Sequence, residues 1–360
     1  MQLLNETLKN IMPSNKIQMK KAWKVIDNLS KPIGSMGLLE EIAAKVAGIQ
    51  GNLAIKEYKK NIIIMCGDNG VVEEGISTCP QNITSVVMNN FTKGTTGVCV
   101  LAKKEKADLT IVDVGVNADF NNPQIINKKI AYGTKNIAKE PAMTREQTIR
   151  AIEIGIETVD ELCNEGYNLF GTGEMGVGNT TTSAAVLSVL LGIDVDMAVG
   201  KGSGLTEEQL KNKKIVVKRS IEVNVPDKND IVDVISKIGG FDIAGICGCF
   251  LGAARNRVPI VIDGLISSVA ALCAYRLNSN VKDYIFPSHL SAEPGMIFIM
   301  NEIGLEPMFN LKMRLGEGSG CPLAFNLIET ALYAINNMVC FEESGLDKNN
   351  YVDIRTDKNS

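Results

Sequence analysis

The sequence predicts an α/β fold, with a mostly parallel six-stranded sheet, flanking helices and a small helical subdomain drawn from both chain ends. Three observations predict it. Short β-branched runs stop at Gly, Asp or Pro; they alternate with longer stretches of helical periodicity; and purely helical patterning is confined to the two ends.

The strand candidates, in order, are Asn61 to Cys66, Leu109 to Val114, Asn168 to Gly171, Pro259 to Ile262, Tyr284 to Phe286 and Glu306 to Leu311. These are enough for a doubly wound sheet. Between them Leu38, Leu39, Ile42, Val46 and Ile49 recur at helical spacing, as do Ala184, Leu187, Val189, Leu190 and Leu191, with Thr and Ser ahead as caps. Residues 1–30 and 322–360 are expected to form the small subdomain around a large domain over 31–321, and the polar tail after Gly345 is expected to fray. No repeat of solenoid period and no low-complexity segment interrupts this pattern.

The charges, 37 Lys plus Arg against 41 Asp plus Glu, are dispersed and build no basic stripe, so nucleic acid is not an expected partner. No basic flank precedes an apolar leader, and every long apolar run is soon broken by polar residues. A soluble, cytoplasmic protein without membrane contact is the expectation. The nine cysteines form no CxxC pair; Cys247 and Cys249 are nearest to one, and reduced, buried thiols are expected. His289 is the only histidine, which excludes a multi-histidine zinc site, an HExxH helix and a Ser/His/Asp triad built elsewhere.

Ligands of α/β sheets bind beyond the carboxyl ends of the strands, so the loops there carry the functional reading. They are Gly67 to Gly70, Gly115 with Val116, Gly171 to Asn179, Asp263-Gly264 and Pro287 to Glu293. In Gly171 to Thr182 the glycines admit backbone N–H groups to a phosphate, with a helix N-terminus behind them. Gly171, Gly173 and Gly176 also satisfy GxGxxG, with Asp194 or Asp196 where a ribose-binding acid belongs. A dinucleotide-binding oxidoreductase is therefore a competing reading. Glu174 argues against it, because a carboxylate inside the loop would repel pyrophosphate.

In Met313 to Gly320 the glycines around Glu317 let that carboxylate project into a cleft as a proton acceptor, and a solvated turn is the alternative. In Pro287 to Gly295, Ser291 is a candidate helix cap and phosphate contact, while His289 is as well explained by packing as by catalysis. Lys201 and Lys213 are candidate cations for a phosphate, although a lysine on a helix face is ordinarily solvated. Lys31 to Gly37 reads as a turn leading into a capped helix.

Taken together these pieces resemble the nicotinate-nucleotide:dimethylbenzimidazole phosphoribosyltransferase family. The match runs in order along nearly the whole chain: KPIGSMGLLE at 31–40, GDNGVVEEGIS at 67–77, KGTTGVCVLA at 93–102, VDVGV at 112–116, GTGEMGVGNTTTSAA at 171–185, GGFDIAGICG at 239–248, PIVIDGLISSVAAL at 259–272, PSHLSAEPG at 287–295 and MRLGEGSG at 313–320. Each segment is weak alone, and their order is specific.

The resemblance implies a Rossmann-like large domain, a small domain from both ends and a homodimer. It implies Glu317 as general base with Glu174 nearby. It also implies Gly176, Asn179, Gly202, Ser203, Lys213, Gly264 and Ser291 as nucleotide contacts, Asp242 and Asp263 as acids near the nucleotide, and Cys79, Val87 and Leu315 against the base. The substrates would be nicotinate mononucleotide and an aromatic base. Nicotinate leaves from its pyridinium nitrogen as a neutral ring, so only the incoming base has a proton to lose. A transferase using pyrophosphorylated ribose would need two adjacent acids before a Gly-Thr loop, and Ile262-Asp263-Gly264-Leu265 has one; no metal and no cofactor is expected.

Departures from the family pattern gather at the base. Asn69 stands where many relatives have His, Met36 replaces a common Leu, and Cys79 and Val87 occupy positions that are often polar. A less polar pocket points to another benzimidazole, adenine or a phenolic ring as an acceptor beside dimethylbenzimidazole. A non-catalytic nucleotide sensor is the remaining alternative. Glu174 and Glu317 speak against it, since neither helps to hold an anionic mononucleotide.

Overall fold

The computed structural model describes residues 2–54, 57–202 and 204–355. Six strands form one sheet in the order β3-β2-β1-β4-β5-β6, with every neighbouring pair parallel. They are β1 (Lys60–Gly67), β2 (Ala107–Gly115), β3 (Ile125–Asn127), β4 (Leu169–Met175), β5 (Ile260–Ile262) and β6 (Ile285–Pro287). β1 is buried along its whole length, as a parallel strand covered on both faces must be.

Strand alternation fixes what each face holds. Met65 points at Gly245 of helix Phe241–Asn256, while Ile62 and Ile64 face the 316–320 segment that leads into helix Cys321–Asn337. Helix Phe241–Asn256 is held against helix Arg145–Asn164 at unusually close range. A methyl on Gly248 would lie 1.9 Å from the Ile152 carbonyl oxygen, and one on Gly155 2.0 Å from that of Gly245. Sheet order reverses at β1, one half of the chain building outward through β2 and β3 and the other through β4, β5 and β6. That reversal opens a crevice at the carboxyl ends of β1 and β4.

Two expectations change. The sixth strand is Ile125–Asn127, whereas 306–311 contributes only an isolated bridge between His289 and Phe309. The tail after Gly345 is docked as far as Arg355: Ile354 N–H donates to the Ile33 carbonyl at 3.1 Å, and the Arg355 guanidinium lies 5.0 Å from the Trp23 ring centroid and 3.0 Å from Asp27. Residues 356–360 lie outside the described residues.

The ends also meet at the Leu29–Cys340 bridge, where Ser30 N–H donates to Val339 O at 2.9 Å and Phe341 N–H to Asn28 O at 3.1 Å. Helix Gln2–Asn10, by contrast, leans on the large body, with Leu4 N–H donating to Glu153 and the Arg255 guanidinium donating to the Thr7 hydroxyl. The KPIGSMG turn is held by a buried Lys31–Glu40 pair at 2.6 Å, while the helix it enters begins at Gly37 without a side-chain cap. Among the described residues no helix is long and apolar enough to cross a membrane.

Candidate active site

The crevice holds a cavity of about 230 Å³. Its apolar wall is built by Ile76, Cys79, Ile83, Val87 and Leu315; the carboxyls of Glu174, Asp263 and Glu317, and the mutually neighbouring Lys213, Thr180 and Gly202, complete the lining.

Glu317 owes its place to an unusual backbone. Gly316, Glu317 and Gly318 have φ of 79°, 65° and 92°, three left-handed residues in a row. For Glu317 that conformation costs on the order of 1 kcal/mol, and the surroundings must impose it. They do so in two ways. Asp263, after β5, accepts N–H bonds from Gly318 at 3.0 Å and Gly320 at 2.7 Å, and Gly173 in β4 leaves room for the Glu317 carbonyl, which a methyl would approach to 2.4 Å. The Glu317 carboxylate then reaches the start of helix Gly97–Lys104 and accepts from Val98 N–H at 3.3 Å. Burial pushes its pKa above the usual glutamate value, while the Val98 and Gly97 amides and the Thr96 hydroxyl pull it back.

Glu174 closes β4 and is buried, accepting from Glu317 N–H at 3.4 Å and from the Asn179 amide. The same Asn179 amide donates to Asp242 at 3.1 Å. Burial, and then the charge of Asp242, pushes Glu174 up to about 8; burial likewise lifts Asp242 to about 6 and Asp263 to about 7. Burial thus makes each of these carboxyls hold its proton to a higher pH than an exposed one would.

Lys213 is buried, contrary to the ordinary solvated helix lysine, with Nζ on the Thr180 hydroxyl at 2.8 Å and the Gly200 carbonyl at 3.3 Å. Burial lowers its pKa to about 8, opposed by Glu293. Glu293 in turn accepts from Gly202 N–H at 3.0 Å. Lys201 also lines the cavity, but in an exposed position and paired with Glu207 at 2.6 Å.

Of the residues singled out from sequence, Glu174, Glu317, Cys79, Val87, Leu315, Gly176, Asn179, Gly202, Lys213, Asp263, Gly264 and Ser291 all line the cavity. Asp242 is not among the lining residues; it is fully buried and hydrogen-bonds to the site through Asn179. Ser203 lies outside the described residues. Ser291 is no helix cap: Pro294 delays the helix to Met296, and the Ser291 hydroxyl accepts from Glu293 N–H at 3.3 Å. Thr180, Ile76 and Ile83 escaped sequence reasoning. Ile83 and Val87, four residues apart on helix Ile83–Thr92, carried a detectable signal in that spacing.

The dinucleotide reading loses its geometry. Gly171 and Gly173 lie inside β4, where a methyl would strike Cys321 and the Glu317 backbone, so they serve close packing rather than a phosphate loop. Asp194 caps the short helix Val195–Ala198, and Asp196 pairs with Lys214 on the surface. Among the described residues no cluster of His, Cys, Asp and Glu is arranged to hold a metal ion.

A phosphoribosyltransferase family model matches residues 11–346. The chain is 59% identical to nicotinate-nucleotide–dimethylbenzimidazole phosphoribosyltransferase of Clostridium tetani, over 99% of this chain and 98% of that protein. It is 54% identical to the protein of the same name from Clostridium acetobutylicum, over 92% and 94% of the two chains. The solved nicotinate-nucleotide-dimethylbenzimidazole phosphoribosyltransferase from Thermus thermophilus superposes with a TM-score of 0.87 at 32% identity, covering 92% of this chain and 99% of that one.

Proposed function

The chain belongs to the nicotinate-nucleotide–dimethylbenzimidazole phosphoribosyltransferase family, and on that premise we propose how it transfers the 5-phosphoribosyl group of nicotinate mononucleotide to dimethylbenzimidazole or a related base. The products are nicotinate and an α-ribotide destined for a cobamide. The observation that supports this assignment of roles is that one cavity is lined at once by the Glu317 carboxylate, by the apolar side chains of Cys79, Val87 and Leu315, and by Lys213.

The base lies against Cys79, Val87 and Leu315, and the phosphate is held by Lys213 with Gly202, Gly264 and Ser291. Ring nitrogen of the base attacks the ribose carbon from the face opposite nicotinate. The carbon–nitrogen bond to nicotinate breaks, its electron pair returns the pyridinium to a neutral ring, and the second base nitrogen gives its proton to Glu317. Glu174 acts through its bond to the Glu317 amide, as a positioning residue. Alignment of the two reactants supplies much of the remaining acceleration.

With Cys79 and Val87 on the wall, base choice rests on shape and on the Glu317 carboxylate, which favours an acceptor carrying one acidic N–H or O–H. We further take residues 1–30 and 322–360 as a small helical subdomain beside a catalytic domain over 31–321, in a cytoplasmic homodimer.

The test incubates the protein, without added metal, with nicotinate mononucleotide and a mixture of dimethylbenzimidazole, benzimidazole, adenine, phenol and p-cresol, and resolves products by mass. Nicotinate and one preferred α-ribotide are expected, with Glu317→Ala slower by about 100-fold or more. Binding of the mononucleotide with no base consumed would instead identify a sensor.

A further inference from the structure

We propose that His289 is fixed as the neutral tautomer protonated on Nδ1, and that its Nε2 lone pair accepts a hydrogen bond from a ribose hydroxyl of the bound mononucleotide. The inference deepens the transferase reading, since it takes the nucleotide from it.

Counting hydrogens decides the tautomer. The Ser288 hydroxyl lies 3.0 Å from the Asp263 backbone carbonyl and 3.0 Å from His289 Nδ1. It has one proton. A carbonyl only accepts, and a buried one left without a donor is costly, so the serine proton goes there. Nδ1 must then carry the hydrogen that points at the serine oxygen. The Asp263 carboxylate, 4.0 Å from Nδ1, favours the same arrangement. Phe309 stacks on the ring with centroids 6.1 Å apart, and Gly320 makes room for it, since a methyl there would sit 2.4 Å from Nδ1. The ring is therefore held in position and 1% exposed. Its pKa is pushed down to about 4 by burial, which leaves it neutral.

Nε2 is consequently an acceptor, and among the described residues it has no hydrogen-bond partner. It faces the cavity beside Gly264 and the Ser291 hydroxyl, the two atoms nearest a methyl on Gly264 being His289 Nε2 and Ser291 Oγ, each at 3.9 Å. A lone pair there repels phosphate and carboxylate and demands a donor. Once its phosphate is fully ionised, nicotinate mononucleotide has only its two ribose hydroxyls to offer. The N–H of the incoming base is already directed to Glu317.

With one histidine in the chain, nitrogen-15 NMR of the whole protein reads this site alone. Two-bond proton–nitrogen correlations are expected to show a protonated Nδ1 and a bare Nε2, and nicotinate mononucleotide, added without base, to move the Nε2 resonance. A protonated Nε2, or an Nε2 signal unmoved by saturating mononucleotide, overturns the proposal whether or not the protein catalyses transfer. Kinetics give the second arm. His289→Asn keeps a donor toward Ser288 and removes Nε2, and is expected to raise KM for the mononucleotide roughly 10-fold, with His289→Gln, whose amide oxygen reaches the Nε2 position, recovering most of it. Either the 2′-deoxy or the 3′-deoxy mononucleotide should be poorer for the wild type by a similar factor and no poorer for His289→Asn. A deoxy penalty undiminished in that variant defeats the proposal, and if the variant does not fold the NMR on the native protein decides.

Discussion

Glu174, Asp242 and Asp263 pay for their places in the site with stability, and the direction of that cost is open to measurement. Each has a folded pKa raised above its unfolded value, so the folded state binds more protons than the unfolded chain between about pH 4 and the raised values. Stability therefore falls as pH climbs through that window, most of all for Glu174, raised to about 8. Glu174→Gln removes the charge while leaving an acceptor for the Asn179 amide. Thermal melts should show it above the wild type at pH 8, with the gap shrinking toward pH 5. An equal gap at both would mean that the Glu174 carboxyl is not the source. Glu174 was conspicuous as a carboxylate inside a glycine-rich segment, whereas Asp242 and Asp263 were expected near the nucleotide only through the family resemblance. Lys213 was read as a candidate cation, but its burial was not legible, since helical periodicity marks apolar faces and says nothing of a cation turned inward onto the Thr180 hydroxyl.

Among elements, the 316–320 loop and β4 work as one unit. Its left-handed run is shaped from outside, by the Asp263 carboxylate and by the missing side chain at Gly173. Gly173→Ala would drive a methyl into the Glu317 carbonyl, a backbone atom that cannot swing aside. We expect kcat to drop on the order of 100-fold from the displaced carboxylate, with KM for the mononucleotide little changed, in steady-state kinetics. A KM effect alone would place Gly173 on the nucleotide side. Most strands were legible because buried parallel strands read as β-branched runs ending at a turn residue. Ile125–Asn127 escaped, being three residues long at the sheet edge with only Ile125 buried. The 306–311 segment misled for the opposite reason, carrying strand-like residues into a single bridge opposite His289.

For the whole molecule, helical patterning at the two ends was readable, but the docking of the last described residues was not: Arg355 finds Trp23, the only tryptophan, more than three hundred positions away. Arg355→Ala should alter the emission of that single indole and lower stability by about 1 kcal/mol, read from denaturant midpoints followed by fluorescence. An unaltered spectrum would show that the stacking does not persist in solution. The distribution of thiols has a practical consequence. Of nine free cysteines, Cys66, Cys99, Cys247, Cys249, Cys273 and Cys321 are buried; of the half-buried ones, burial raises Cys163 to about 12, and the hydrogen bond to Glu342 raises Cys340 at a site outside the cavity lining. Cys79 alone stands on the apolar wall of the cavity without being buried. A flat aryl electrophile should arylate it selectively, and a seated lower-ligand base should slow that labelling, so peptide mass spectrometry at Cys79 becomes an occupancy gauge for the base that needs no turnover. The same thiol is a foothold for covalent inhibitors of this enzyme.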